Sequence, residues 1–456
     1  MTIETQPNTA PPQSNGGVYA WYVVAVLMLA QTFSFIDRMI MGLMVGPIRA
    51  SFNISDTQYS LLAGLAFAIF YSFMGLPLAR IADRWSRRGL IAIAITVWSF
   101  MTALCGMAQG FWSLFAARVG VGVGEAALSP AAFSLITDYF PRKSLARALS
   151  VYTIGVTIGS GLAYMIGGKI IEHTMSFGQV VLPVIGEREG WQLAFFIVGI
   201  PGLLVAALMF TFREPIRKGG LNTAAIQAGA PSLPPPSIGD VLAFLMKRKR
   251  AFLTHIFGMS IYIMVVFSLN IWGPEYLMRT FGYARGEAGL TFGIIMMVMG
   301  TSGLLIGGTL ADRWFSQGQM DAYSRVILIS MVCMLPFVVV IGFTKVPLVG
   351  IVCLAIATFL SAFQGGVAGG VIQLITPNEM RGQATALYFL AGNLLGMGIG
   401  PTVVASINDY VFNDDGALNK SIALAGAILI PIAATIMLSG LRSVREAIIE
   451  AREWSE

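Results

Sequence analysis

Ile81-Ala82-Asp83-Arg84-Trp85 closes one long apolar run, and Leu310-Ala311-Asp312-Arg313-Trp314 closes another. A second pair of landmarks repeats as well. Leu135-Ile136-Thr137 with Arg142 downstream returns as Leu374-Ile375-Thr376 with Arg381, at an offset of 239 residues. Internal repetition of this kind within apolar sequence marks a chain built from two similar membrane-embedded halves. Carried back along the helix, the same offset pairs Glu125 with Gln364 and Arg118 with Ala357, so the charges belong to the first half alone.

Composition agrees with a membrane solvent. Hydrophobic residues make up 56% of the 456 and charged residues only 11%, whereas a soluble globule carries about 25% charged residues. Twelve runs suited to helical spans lie at about 20–48, 58–79, 89–109, 111–139, 146–172, 191–212, 251–280, 286–311, 323–343, 347–376, 382–409 and 419–441. They are too long for a membrane β-barrel, whose strands alternate over about ten residues. The expected fold is an all-α integral membrane protein with twelve transmembrane helices in two six-helix halves. Its parts read as a disordered tail over 1–19, a first half over 20–212, a linker over 213–250, a second half over 251–441 and a tail over 442–456. The first nineteen residues carry no Lys or Arg and so lack the basic start of a signal peptide.

Charge placement sets the orientation. Of the 29 Lys and Arg, twenty fall on the side of the termini and seven on the other, with Arg38 and Arg118 left inside the spans. The excess puts both termini in the cytoplasm, as expected of a multi-pass protein of the cell's inner membrane. The net charge of +6 is therefore a topology signal rather than a nucleic-acid footprint. Lys247-Arg248-Lys249-Arg250 reads as a topology anchor, and the amphipathic stretch before it, Ile238 to Met246, suits a helix lying on the inner leaflet. Cys105, Cys333 and Cys353 sit in apolar runs and His173 and His255 lie far apart, so no metal site or cofactor is expected. Nor does the chain show a nucleophile and base pair or a phosphate loop, and an enzyme is not expected.

The functional candidates lie where charge interrupts the apolar runs. Phe115 to Ser129, FAARVGVGVGEAALS, places Arg118 and Glu125 nearly two helical turns apart on one face. Gly120, Gly122 and Gly124 let a neighbouring helix come close, and Ser34-Phe35-Ile36-Asp37-Arg38 in span one offers partners. An ionisable group at bilayer depth costs roughly 2.5–3.5 kcal/mol, which marks such residues either as a structural ion-pair cluster or as a proton or substrate site. Asp37 and Glu125 are the candidate proton carriers, and Arg38 and Arg118 the candidate partners for an anionic headgroup. Gln364 and Asn393 are candidates to line the cavity.

Leu78-Ala79-Arg80-Ile81-Ala82-Asp83-Arg84-Trp85-Ser86-Arg87-Arg88 resembles the loop between spans two and three of the major facilitator superfamily, with Ala79 and Ser86 where glycines are usual. Gly308 to Arg313 forms its second copy, without the trailing arginines. Asp37-Arg38, Arg118 with Glu125, and Asn393-Leu394-Leu395-Gly396 leading to Gly400-Pro401 further resemble the spinster branch, particularly its bacterial members. The resemblance implies alternating access, proton coupling and a lysophospholipid or sphingosine-1-phosphate-like substrate. It also makes Asp83, Arg84, Arg87, Arg88, Asp138, Asp312 and Arg313 a cytoplasmic gate. The expected partners are the bilayer, protons and an amphiphilic small molecule, with the protein a monomer. A carrier of small organic anions or drugs, and an uncoupled channel or scramblase, are the alternatives.

Overall fold

A computed structural model describes residues 17–183, 185–215, 237–377 and 379–452. Most of the expected amino-terminal tail, the middle of the linker and the last four residues lie outside the described residues. So does the side chain of Asp83.

Among the described residues, twelve helices are long and apolar enough to cross a membrane: Val18–Leu43, Asp56–Gly75, Arg87–Cys105, Phe111–Tyr139, Arg147–Ser176, Gly190–Thr211, Lys249–Phe281, Arg285–Ser316, Ala322–Ile341, Pro347–Leu374, Arg381–Phe412 and Asp415–Ala451. They are called spans one to twelve below. Helices dominate because a backbone in lipid must satisfy its own hydrogen bonds. Among the described residues, the one small exception is a hairpin after span five, in which Gln179–Leu182 pairs antiparallel with Gly186–Glu189.

Two expected boundaries differ. Span one begins inside the expected tail, at Val18, and its terminal turn tightens over Ile40–Leu43 before a separate helix, Val45–Phe52. The last helix runs without a break from Leu418 to Arg452, so the expected tail after 441 continues span twelve. Within the linker, the amphipathic stretch expected to be helical is a helix over Ile238–Lys247.

Several spans are interrupted. Span four stops at Glu125 and resumes at Leu128, because Pro130 has no N–H to offer the preceding turn. Span two has a π-helical turn at Leu61–Leu65, and span eleven has one at Gly392–Ile399. These turns face each other across the two halves. A Cβ on Gly64 would stand 2.7 Å from the Met397 carbonyl, so only glycine allows the backbones so close.

Cross-half hydrogen bonds gather on the face away from the termini, called the distal face. Asp409 accepts from the Thr57 N–H at 2.7 Å, Ser60 meets Thr402 at 3.0 Å, and Glu172 accepts from the Gly286 N–H at 2.9 Å. Tyr164 donates to the Asn270 carbonyl and Arg285 to the Leu43 carbonyl. The halves are therefore clasped distally.

Candidate functional site

Spans one to four bring the four intramembrane charges together. Asp37 and Glu125 are each 2% exposed, Arg38 is 7% exposed and Arg118 is fully buried. Close helix packing makes this possible: a Cβ on Gly122 would meet the Phe67 carbonyl at 2.5 Å, and one on Gly124 the Trp98 N at 2.8 Å. The glycine stripe thus seats span four against spans two and three at the level of Glu125.

The charges are not paired evenly. Glu125 Oε2 accepts from Arg38 at 2.6 Å and from Ser34 Oγ at 2.6 Å. Asp37 Oδ2 accepts only a hydroxyl, from Thr102 at 3.2 Å, while Arg118 donates at 3.4 Å to the Asp37 backbone carbonyl rather than to its carboxylate. Asp37 Oδ1, Glu125 Oε1, Arg38 Nε, and Arg118 Nε and Nη2 find no hydrogen-bond partner among the described residues. Leaving a buried polar group unpaired costs about 1–3 kcal/mol, more when it is charged. A cluster that served only to hold helices together would use these atoms. The arrangement suits a site with capacity for a proton or an anion.

Aromatic faces complete it. The Arg38 guanidinium carbon lies 4.4 Å from the ring centre of Phe67, 4.6 Å from Phe35 and 4.8 Å from Tyr71, and Arg118 lies 5.5 Å from Phe67. Such faces stabilise a cation by about 0.5–2 kcal/mol. Phe67 and Tyr71 were not legible as site residues, since aromatics at helical spacing are common in spans; their four-residue separation was the only signal. Thr102 gave none.

Gln364 and Asn393 are half-buried in the second half, and no hydrogen bond joins either to the charged cluster. Of the residues expected at the gate, Arg87, Arg88, Asp138 and Asp312 bond within their own halves. Arg87 pairs with Asp138 and donates to Glu214 at 2.9 Å; Arg88 donates to the Phe212 carbonyl at 2.6 Å. Burial works against the Glu214 carboxylate. Hydrogen bonds from the Arg88 N–H, Arg87 and Ser86 outweigh it and hold that group below its ordinary range. Asp312 accepts from Tyr323, while Arg84 and Arg313 are exposed.

A second ionic cluster, which reading the sequence missed, lies on the distal face. Asp56 is fully buried and accepts from Arg279 at 2.6 and 2.9 Å and from Asn408 at 3.0 Å; Arg49 lies 3.0 Å from it. Arg49 also reaches Asp415 at 3.1 Å, so the cluster spans both halves. The signal available was a carboxylate at the start of an apolar run, which reads equally well as a helix-start residue.

Residues 27–401 match the Major Facilitator Superfamily. The chain belongs to this superfamily. It is 29% identical over 443 residues to an MFS-type efflux pump of Mycolicibacterium smegmatis, covering 95% of each chain. It is 28% identical over 408 residues to protein spinster homolog 1 of Xenopus tropicalis, covering 85% of this chain and 73% of the relative. A hexuronate transporter of Bacillus subtilis is 25% identical over 415 residues, covering 90% and 92%. Among solved structures, a bacterial homolog to the human lysosomal transporter spinster, inward-facing and unoccupied, superposes with a TM-score of 0.74 at 26% identity, covering 94% and 97%. This member of the superfamily is therefore spinster-like, a secondary transporter and not an enzyme.

Proposed function

We propose that this protein carries an amphiphilic anionic lipid, lysophospholipid-like or sphingosine-1-phosphate-like, by proton-coupled alternating access. In this reading it lies in the cell's inner membrane with both termini cytoplasmic, as the loop charges favour. The observation that carries the reading is the Glu125–Arg38 pair at 2.6 Å, buried beside an Asp37 that has no ion-pair partner within 4 Å among the described residues. A proton taken by Glu125 removes the counter-charge of Arg38, which the aromatic faces hold in place. Arg38 is then available to a phosphate-bearing headgroup. When the headgroup leaves, Glu125 ionises again and re-forms the pair, so proton and substrate occupancy are linked.

Gating is the other half of the proposal. Asp83, Arg84, Arg87, Arg88, Asp138, Asp312 and Arg313 would close the cytoplasmic face when the distal clasp opens, and Gln364 and Asn393 would line the cavity from the second half. The test is transport in proteoliposomes with the pH gradient controlled. Lysophospholipid uptake should respond to the gradient in the parent and lose that response in Glu125→Gln, with binding retained. Normal gradient-dependent transport by the variant overturns the assignment of Glu125.

A second reading rests on the hexuronate relative, which matches over most of both chains. A carrier of small organic anions would use the same charges without a place for an alkyl chain. Competition by hexuronates, with none by lysophospholipids, would select it.

A further inference from the structure

The linker helix Ile238–Lys247 starts from Ser237, whose hydroxyl accepts from the Asp240 N–H at 3.2 Å. It buries Val241 and Leu245 against the second half, yet Ile238, Leu242 and Met246 stay 46%, 45% and 56% exposed. These three are four residues apart and share one face of the helix. Span seven begins at Lys249, two residues after the helix ends, so the helix rests at the edge of the hydrocarbon layer. An apolar stripe left open at that depth meets lipid rather than water.

The same helix ends in charge. Lys247, Arg248, Lys249 and Arg250 line a cleft with Ser443, Glu446 and Glu450 of span twelve. Arg248 is occupied by Glu450, at 3.2 Å from Nε, and Arg250 Nε donates to the Ser439 carbonyl at 3.2 Å. Lys247 and Lys249 are exposed and make no hydrogen bond or ion pair with a described residue. Four cations face two carboxylates, which leaves the cleft positive.

We propose that the linker helix and this cleft form a binding site for an anionic membrane lipid, distinct from the transported substrate. Its headgroup phosphate would sit at Lys247 and Lys249, with its chains along Ile238, Leu242 and Met246. The stripe ends at Met246, next to Lys247 in the chain, and this adjacency argues for lipid over free phosphate, which would engage the lysines alone. The inference does not rest on what the transporter carries.

A Leu242→Trp variant of the full chain tests it, with the parent as baseline for the eight native tryptophans. It is reconstituted in phosphatidylcholine vesicles containing a minor share of either brominated phosphatidylglycerol or brominated phosphatidylcholine. The added indole should be quenched several-fold more by the brominated phosphatidylglycerol, because each lysine at an anionic surface is worth about five-fold in binding. Adding Lys247→Gln and Lys249→Gln should erase that preference, as should high salt. These substitutions are at exposed positions, and an unchanged unfolding temperature shows that the fold is intact. Equal quenching by the two lipids, no quenching by either, or a preference that survives loss of both lysines would each overturn the proposal. So would abolition of the preference by inorganic phosphate at constant ionic strength.

Discussion

At the residue scale, the buried pair separates a charge that is tolerated from a charge that is used. Removing one partner of a buried ion pair costs about 3–5 kcal/mol because the other is stranded, whereas replacing both can be nearly neutral. Arg38→Ala should therefore lower thermal stability far more than the double variant Arg38→Ala/Glu125→Gln, with a difference of about 2 kcal/mol or more measured by unfolding in detergent. Equal losses would mean that Glu125 is not charged in the resting protein. Asp37→Asn should cost little, about 1 kcal/mol or less, since its buried carboxylate accepts a single hydrogen bond among the described residues, from the Thr102 hydroxyl. The four charges were legible because an ionised side chain in an apolar run has few bland explanations. Which arginine pairs with which carboxylate was not, since that depends on rotamers set by Phe35, Phe67 and Tyr71.

At the element scale, two joints govern the first half. Gly122 lets span four touch the backbone of span two, and its replacement by Val should push the helices apart at a cost of about 1–3 kcal/mol. Transport should fall with it, because Phe67 on span two also faces Arg38; full transport by Gly122→Val would show that the contact is dispensable. The other joint is Glu214, which ties the loop after span two to the end of span six through Ser86, Arg87 and Arg88. Its carboxylate is held below the ordinary range, so its stabilising effect is fully present above about pH 4.3, the usual glutamate value. It is lost as pH falls through the lowered value. The stability advantage of the parent over Glu214→Gln should accordingly hold from neutrality down to about that pH and shrink below it. A gap that widened on acidification would reverse the sign. Span number and the two-half plan were legible from apolar length and the Asp-Arg-Trp repeat. The π-helical turns and the Glu125 break were not, because they arise where spans from different parts of the chain press together.

For the whole molecule, the distal clasp joins the two halves on one face, and the proposed cycle requires it to open. Asp56 receives two hydrogen bonds from Arg279 and one from Asn408, both in the second half, and lies 3.0 Å from Arg49 of its own half. Asp56 has no exposed surface, so these contacts escape the screening that weakens surface pairs, whereas Asp415, with a side chain 64% exposed, adds little. Each hydrogen bond to a charged group is worth about 1.5–3 kcal/mol, and a transporter that alternates must break the set as a unit. Arg49 and Arg279 each flank a span and are two of the seven basic residues that the sequence puts opposite the termini; only the packed halves show that they converge on one carboxylate. Arg279→Gln removes the fork on Asp56 yet leaves Arg49 beside it, so the fold should survive while the clasp weakens by about 2–3 kcal/mol. That is roughly a 30- to 150-fold shift in the ratio of distally closed to distally open molecules. Spin labels on exposed positions of the distal face, one in each half, should then report a longer distance population that is minor in the parent. Labels on the opposite face should report the converse, a shorter population, as the proposed gate there closes. If both pairs of distances match the parent, Asp56 and Arg279 brace the distal loops without controlling access.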